Sequence, residues 1–372
     1  MRVGVDLTAV WRPVTGLETV AIEMTRAMLR LDQNNEYVLF FSGGVHPAFV
    51  DFEGRFKKVV LPLQNEVVCK NVFMPFLPAI RALDFLHFPI FPPPWWCACP
   101  HGWTMPDAAP WLYPETMKTK SRLYFRALGQ LAMRRCRMII TDTLASKSDL
   151  QAIFGNRAEK VRVIYPGMRT MFRRVRDADT FSRVRAKYSI PTEFVLCVAT
   201  LEPRKNILGL IRAFAQLKGE GRFSPSLVIA GRKGWLYDHI FSEVPSAGLQ
   251  DAVTFTGYVP DEDLLALYNM ARVFVYPSFY EGFGLPCVEA MASGCPVVTS
   301  NRGALLEVTG DAALHAEPED MNGLAQAIRR ACEDEALREK LIRCGLERCR
   351  LFSWESYAQE MLGTIREAVH RE

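Results

Sequence analysis

The sequence predicts an α/β chain built as two doubly wound parallel-sheet domains facing a central cleft. Three observations point there. The 372 residues exceed what one hydrophobic core supports, so two domains of roughly 150–200 residues are expected. Short apolar runs of strand length alternate with stretches of helical period, the βαβ pattern of parallel sheets. Several of those runs end in glycines, cations or carboxylates, at the strand ends where open α/β sheets bind ligands. With 49% apolar and 23% charged residues, the composition is that of a globular chain and excludes disorder.

The opening MRVGVDLTAVW sets Asp6 inside its apolar run and lacks a small-residue cleavage site. It reads as a first strand (Val3 to Leu7) and not as a signal peptide, which places the chain in the cytoplasm. A helical stretch, Glu18 to Leu31, follows, then apolar runs at Tyr37 to Phe41, Val59 to Leu61 and Leu83 to Phe88. The hydrophobic segment 85–100 carries five prolines and cannot propagate a membrane-spanning helix. A helix at Ser121 to Arg134 and strands at Met138 to Thr141 and Val161 to Ile164 complete a first domain, residues 1–170. Met168 to Ile190 is polar and arginine-rich and reads as the linker.

The second domain, residues 171–352, repeats the pattern. Its strands are Phe194 to Ala199, Ser226 to Ala230, Val253 to Thr256, Val273 to Tyr276 and Pro296 to Thr299. Its helices are Leu208 to Leu217, Asp261 to Met270, Pro286 to Ala292 and Met321 to Glu333. A last helix occupies 353–372, with Ser353 as cap and Glu355 in its first turn.

Residues 1–170 carry 21 Lys/Arg against 14 Asp/Glu, and the remainder 24 against 27. Much of the basic surplus falls between Lys118 and Arg137. That segment is either a solvated helix face or an attractor of anionic lipid headgroups or a phosphate-bearing acceptor, which would put the chain peripherally at the inner face of the cell membrane. The ten cysteines are scattered without a CxxC, and Cys97-x-Cys99 has neither zinc spacing nor sequence neighbours to complete a site. Reduced, buried thiols are expected.

The densest chemistry lies in PSFYEGFGLPCVE (277–289). A strand ends at Pro277, a loop passes Gly282 and Gly284, and Pro286 suits the first position of the next helix. Glu281 then precedes that helix and Glu289 lies inside it. Free amides around Gly284 and Leu285 with the positive helix end make an anion site, while carboxylates accept from hydroxyl groups. The pattern suits a sugar, a phosphate and a ribose; the alternative is a helix-capping Glu281 and a solvated Glu289. In TLEPRKN (200–206), Arg204 and Lys205 follow a strand and suit a diphosphate, or are surface charge at a helix end. VIAGRKGW (228–235) supplies Gly231 and Lys233 after another strand, a weaker signal.

Together these residues resemble glycosyltransferase family 4, of the GT-B fold with its two Rossmann-like domains, and within it the mannosyltransferase-like and glucosyltransferase-like enzymes of bacterial polysaccharide assembly. The resemblance runs through TGLETVAIEM, PDAAPWLYPE, EPRKN, TFTGYVPDEDL, PSFYEGFGLPCVEAMASGCPVV and FSWESYA. It implies a retaining hexosyltransferase moving a sugar from a UDP-glucose or GDP-mannose type donor to a growing glycan or lipid-linked saccharide, with no metal or other cofactor. Arg204 and Lys205 would bind the diphosphate, Glu281 the transferred sugar, and Glu289 the ribose. Amides of Gly282, Phe283, Gly284 and Leu285 would touch sugar and phosphate. Gly16, in the loop after the first strand, and Gly231 would lie in the donor site, and backbone near Tyr258 and Val259 would border the base. The last helix would cross back onto the first domain. One departure stands out. The family's His-Asp is here Pro106-Asp107, which keeps Asp107 as the catalytic candidate and leaves His101 as the nearest replacement for the missing histidine.

Competing chemistries fare worse. A glycosidase needs two carboxylates about 5–9.5 Å apart across one bond and leaves the phosphate-binding features without purpose. A dinucleotide fingerprint fails because Cys287 stands at the third glycine. Asp177-Ala-Asp179 and Asp261-Glu-Asp263 have metal-binding spacing, but one sits in the linker and the other at a helix start where Asp261 makes a good N-cap. No nucleic-acid module is present. Pro106 motivates a last alternative, a nucleotide-sugar-binding protein without turnover.

Overall fold

A computed structural model describes residues 1–10, 16–117 and 119–370. The chain divides into two compact units, Met1–Gly167 with Phe352–Glu372, and Met168–Leu351. The division falls three residues before the boundary expected from the polar stretch.

Among the described residues, the first unit is built on a parallel sheet of seven strands: β1 (Arg2–Asp6), β2 (Glu36–Ser42), β3 (Phe56–Leu61), β4 (Phe85–Phe88), β5 (His101–Thr104), β6 (Met138–Thr141) and β7 (Val161–Val163). Their order is β3-β2-β1-β4-β5-β6-β7. Alternation along β2 divides the core: Tyr37, Leu39 and Phe41 join one cluster with Val3 and Val5, whereas Val38 and Phe40 join the other with Leu86 and Trp103. Successive side chains of a strand point to opposite faces, and here both faces are covered. Gly4 is needed at this crossing, since a Cβ there would stand 2.5 Å from Leu83 Cδ1.

The helix Trp354–His370 belongs to this unit. Its stripe Tyr357, Ala358, Met361, Leu362 and Ile365 is buried beside Met24 and Met28 of the helix Gly16–Leu31. Burial contributes about 1.5–3 kcal/mol for each large apolar side chain. Arg137 Nη1 donates to the carbonyls of Ala368 (3.2 Å) and Val369 (3.1 Å), closing the helix end. The chain enters the helix past Gly167, where a Cβ would stand 2.4 Å from Trp354 Cγ.

The second unit carries β8 (Phe194–Val198), β9 (Ser226–Ala230), β10 (Val253–Gly257), β11 (Val273–Tyr276), β12 (Val297–Ser300) and β13 (Ala313–Ala316), all parallel, in the order β10-β9-β8-β11-β12-β13. The order reverses between β8 and β11, so a crevice opens beyond their carboxyl ends. The expected linker contains a helix, Ala178–Tyr188, whose N-cap Asp177 accepts from Thr180 N and whose C-cap Ser189 is left-handed at φ 54°.

Candidate active site

At the β8/β11 crevice the chain leaves β8 through a 3-10 turn, Pro203–Lys205, and enters the helix Ile207–Gly219. Asn206 turns the corner at φ 53° and its amide donates to the carbonyls of Pro277 (3.2 Å) and Pro318 (2.6 Å), tying together the loops after β8, β11 and β13. The main chains also meet, with Phe279 N donating to Arg204 O at 2.9 Å. Loops that tend to be mobile are thus pinned where the ligand-binding edge lies.

This framework brings Arg204, Lys205 and Glu281 into one cluster. Lys205 Nζ lies 2.6 Å from Glu281 Oε1 and 2.8 Å from the Tyr276 hydroxyl. Arg204 Nη1 lies 3.3 Å from Glu281 Oε2 and donates to Tyr280 O at 2.7 Å, while Nη2 bonds Glu202 Oε1 at 3.0 Å. Glu281 and Lys205 side chains are 9% and 11% exposed. Burial pushes the Glu281 carboxyl up, but Lys205 and Arg204 outweigh it and hold it below the ordinary value. Both cations therefore already face a carboxylate.

The glycine loop follows. Gly284, at φ 96°, is the N-cap of the helix Leu285–Ala292, and a Cβ there would stand 2.6 Å from Leu305 Cδ2. Leu285 is the first helical residue and Pro286 the second, one position later than expected; the N–H missing at Pro286 is still an unpaired one of the first turn. Gly282 and Phe283 are buried.

Glu289 lies inside that helix and is 5% exposed, not a solvated residue. Its partner was missed in the sequence. Arg169 donates Nη2 (2.6 Å) and Nε (3.2 Å) to Glu289 Oε1, and Nη1 to Asp261 Oδ2 (2.6 Å). The Tyr268 hydroxyl donates to Glu289 Oε2 at 3.2 Å. Burial dominates here and raises the Glu289 carboxyl above its ordinary value despite Arg169. Asp261 is the first residue of its helix and Pro260 the cap, so its expected N-cap role goes instead to an ion pair. Asp263 is held by Arg183, Lys187 and Tyr188. Among the described residues no group of three or more His, Cys, Asp or Glu is arranged to hold a metal ion.

The other donor-side candidates sit beyond β9 and β10. Gly231 has φ 153°, and a Cβ would fall 1.8 Å from Ala199 O, so its glycine is required by loop packing. Tyr258 is 51% exposed with the Arg232 guanidinium 4.2 Å over its ring, and Val259 is buried. Gly16 is the first residue of the helix Gly16–Leu31 instead of a loop residue, and residues 11–15 lie outside the described residues.

In the first unit Asp107 lies past the carboxyl end of β5, its Oδ1 accepting from Ala109 N at 2.8 Å. Burial and then the charge of Asp107 push the carboxyl of Asp142, just after β6, well above its ordinary range. Asp142 is 4% exposed and, among the described residues, its Oδ1 has no hydrogen-bond partner; sequence reasoning passed over it. His101 does not replace the missing histidine. It begins β5 at the sheet's opposite, amino edge, where its Nδ1 is 3.1 Å from Cys99 O. The no-turnover alternative rested on Pro106 alone, and nothing further supports it.

Comparison with known proteins places this geometry. The pattern of the family "Glycosyl transferases group 1" matches residues 181–348. The O-antigen chain mannosyltransferase B of Escherichia coli is 42% identical over 184 residues, 49% of this chain and 48% of that protein, so the chain spans about half the length of this relative. Sucrose-phosphate synthase from Thermosynechococcus elongatus superposes with a TM-score of 0.76 at 21% identity, covering 98% of each chain. Anabaena Alr3699/HepE in complex with UDP and glucose does so with a TM-score of 0.75 at 18% identity, covering 98% of this chain and 99% of that one. The cation and carboxylate cluster at the β8/β11 crevice therefore sits in a chain that has the GT-B fold and whose residues 181–348 match the group 1 glycosyl transferases.

Proposed function

We propose that the chain is a retaining glycosyltransferase that moves a hexose from a nucleotide-diphosphate sugar to a growing glycan or lipid-linked saccharide in polysaccharide assembly. The observation that carries this reading is the Arg204, Lys205 and Glu281 cluster at the crevice where the strand order reverses. A diphosphate entering there offers both cations a stronger partner than one shared carboxylate, and frees Glu281 to accept from sugar hydroxyls. Glu289 takes the ribose, amides from Gly282 to Leu285 meet sugar and phosphate, and Gly231, Tyr258 and Val259 complete the donor site. As the C1–O bond breaks, negative charge grows on the leaving phosphate; fixed cations and a helix N-terminus at that charge lower the barrier, each by about 3–4 kcal/mol. The acceptor hydroxyl attacks from the same face and gives its proton to the leaving phosphate, which yields retention without a protein nucleophile. Asp107 serves the acceptor side. No metal is needed, because the cations do its electrostatic work.

The donor is of GDP-mannose or UDP-glucose type. The relative named an O-antigen mannosyltransferase supports the first, and the solved complex of a neighbour with UDP and glucose supports the second. We also assign peripheral contact with an anionic membrane to the first unit, where Phe76 (65% exposed), Trp95 (52%) and Leu123 (61%) accompany the basic helix Thr119–Arg135. A thermal-shift screen with UDP, GDP, ADP and their sugars tests the donor, since a ligand of the native state raises its apparent stability. Transfer of labelled sugar in excess EDTA tests the metal-free clamp; loss of activity restored by manganese would overturn it. Flotation with liposomes that ignores anionic lipid would overturn the membrane assignment.

A further inference from the structure

Four side chains that the transfer reaction does not use gather at the amino edge of the first sheet. Cys97 and Cys99 precede β5, which starts at His101, and Cys136 precedes β6, which starts at Met138. Because β5 and β6 are parallel neighbours (Gly102 opposite Met138), these residues lie at the end of the sheet opposite to Asp107 and Asp142. The Sγ atoms of Cys97 and Cys99 are 3.9 Å apart. The His101 Nδ1 lies 3.1 Å from the Cys99 carbonyl oxygen, which sets the imidazole beside the thiols. Cys97 and His101 line an open pocket of about 310 Å³ with Pro94, Trp95, Trp96 and Arg135. Cys99 and Cys136 are buried, and Cys97 is partly exposed.

We propose that Cys97 is a nucleophilic thiol that reacts with small disulfides entering this pocket, and that Cys99 is its resolving thiol. The Cys97 thiolate attacks one sulfur of the disulfide RS–SR; an S–S bond forms to Cys97 and RS⁻ leaves. Cys99 then loses its proton and attacks the Cys97 sulfur, releasing a second RS⁻. The chain is oxidised to a 97–99 disulfide while RS–SR is reduced to two thiols once each RS⁻ takes up a proton. Closing the present 3.9 Å separation to the ~2.05 Å of an S–S bond is a local rotation of two side chains.

The local charges favour that direction of attack. The hydrogen bond from Cys99, with His101 beside it, draws the Cys97 thiol below its ordinary value against the effect of burial, and Cys99 is pushed up in turn. Burial lowers the His101 imidazole, but hydrogen bonds to Cys136 and Cys97 outweigh it and lift it to about 10. Two cations stand near the cluster: Arg135 in the pocket wall, and Lys160, whose Nζ donates to Cys136 O at 2.7 Å. A thiolate beside cations and partly open to solvent is the reactive kind, whereas buried cysteines are inert. The site stands independently of the proposed sugar transfer.

The test uses the whole reduced chain, peptide mapping by mass spectrometry, and oxidised glutathione and iodoacetamide as probes. At pH 6 Cys97 should alkylate about tenfold faster than Cys344, the other partly buried cysteine. Oxidised glutathione should produce the 97–99 disulfide, and Cys99→Ser should trap a glutathione adduct on Cys97. His101→Asn should move half-maximal labelling of Cys97 upward by about one pH unit or more. Cys97→Ser, checked by its melting curve, should leave Cys99 unreacted. Equal labelling of Cys97 and Cys344, no adduct in a folded Cys99→Ser chain, or reaction of Cys99 at the wild-type rate in Cys97→Ser would each overturn the proposal.

Discussion

Replacing Lys205 by Met keeps most of the side-chain volume and removes one charge from the crevice. Its Nζ lies 2.6 Å from Glu281 Oε1, a pair whose direct attraction is about 6 kcal/mol at an effective dielectric of ~20. Desolvation offsets much of that, and removing one partner of a buried pair costs about 3–5 kcal/mol. Arg204, 3.3 Å from the other carboxylate oxygen, keeps Glu281 from being fully uncompensated, so a loss of about 2 kcal/mol is the reasoned value. For a unit of this size that lowers Tm by about 4–8 °C. Losing one charge-assisted bond to the diphosphate, worth about 1.5–3 kcal/mol, weakens nucleotide binding by about 10–100-fold. Turnover should fall by about 10²–10³ because the same charge faces the leaving phosphate. Calorimetry with UDP and GDP and transfer from labelled UDP-glucose and GDP-mannose measure the two effects separately. Adding Glu281→Gln to Lys205→Met should recover part of the stability and none of the turnover. A Lys205→Met chain with kcat/KM within about threefold of wild type would refute the electrostatic argument.

Arg169→Met should destabilise the second unit by about 3–5 kcal/mol in urea unfolding, since it strands the buried Glu289 beside Asp261; combining it with Glu289→Gln should recover more than half. For Asp142, burial and then Asp107 raise the folded carboxyl, so the folded chain keeps a proton that the unfolded chain releases near pH ~4. That contribution is full below the unfolded value and is lost as pH rises through the folded one, by at most about 1.4 kcal/mol per pH unit. Asp142→Asn should therefore flatten the decline of urea midpoints above pH ~5, and equal slopes for both chains would refute the buried, protonated acid. Gly231→Ala places a Cβ 1.8 Å from Ala199 O at a left-handed position and should cost about 3 kcal/mol or more by forcing the loops after β8 and β9 apart; an unchanged melting temperature would show that these loops adjust freely.

Buried parallel strands are continuous apolar runs, which is why Met138–Thr141, Ser226–Ala230 and Val273–Tyr276 were legible residue for residue. β5, which reads HGWT, and β13, which reads ALHA, are four residues each and carry polar or small residues. They occupy a sheet through neighbours supplied by distant segments, which no local pattern announces. The helix Ala178–Tyr188 escaped for the converse reason: only Val184 on it is buried, so its apolar stripe is weaker than those of its neighbours. At the site, Glu281, Arg204 and Lys205 were visible because they directly follow strands. Arg169 was not, since its partners lie 92 and 120 residues away. Asp142 could have been found: it is an acid at the end of the apolar run MIIT, the same signal that singled out the others.

The pairing of Arg204 and Lys205 with Glu281 bears on how such a site stays folded. Two cations held together out of water repel each other and lose hydration; Glu281 and Glu202 neutralise them, with Tyr276 and the Tyr280 carbonyl taking further protons. A phosphate arriving there does not face bare cations and must displace a carboxylate from them. On the proposed reading the displaced Glu281 is then an ionised acceptor placed beside the diphosphate, where a hydroxyl-bearing ring attached to that diphosphate would lie. A diphosphate without a sugar would exchange one anion for another and leave Glu281 unpaired. The pairing therefore favours the intact sugar nucleotide over the bare diphosphate. Glu281→Gln should erase that preference: the ratio of affinities for sugar nucleotide and free diphosphate should fall by about 10–100-fold, the ~1.5–3 kcal/mol of one charge-assisted bond. An unchanged ratio would mean that Glu281 only balances charge.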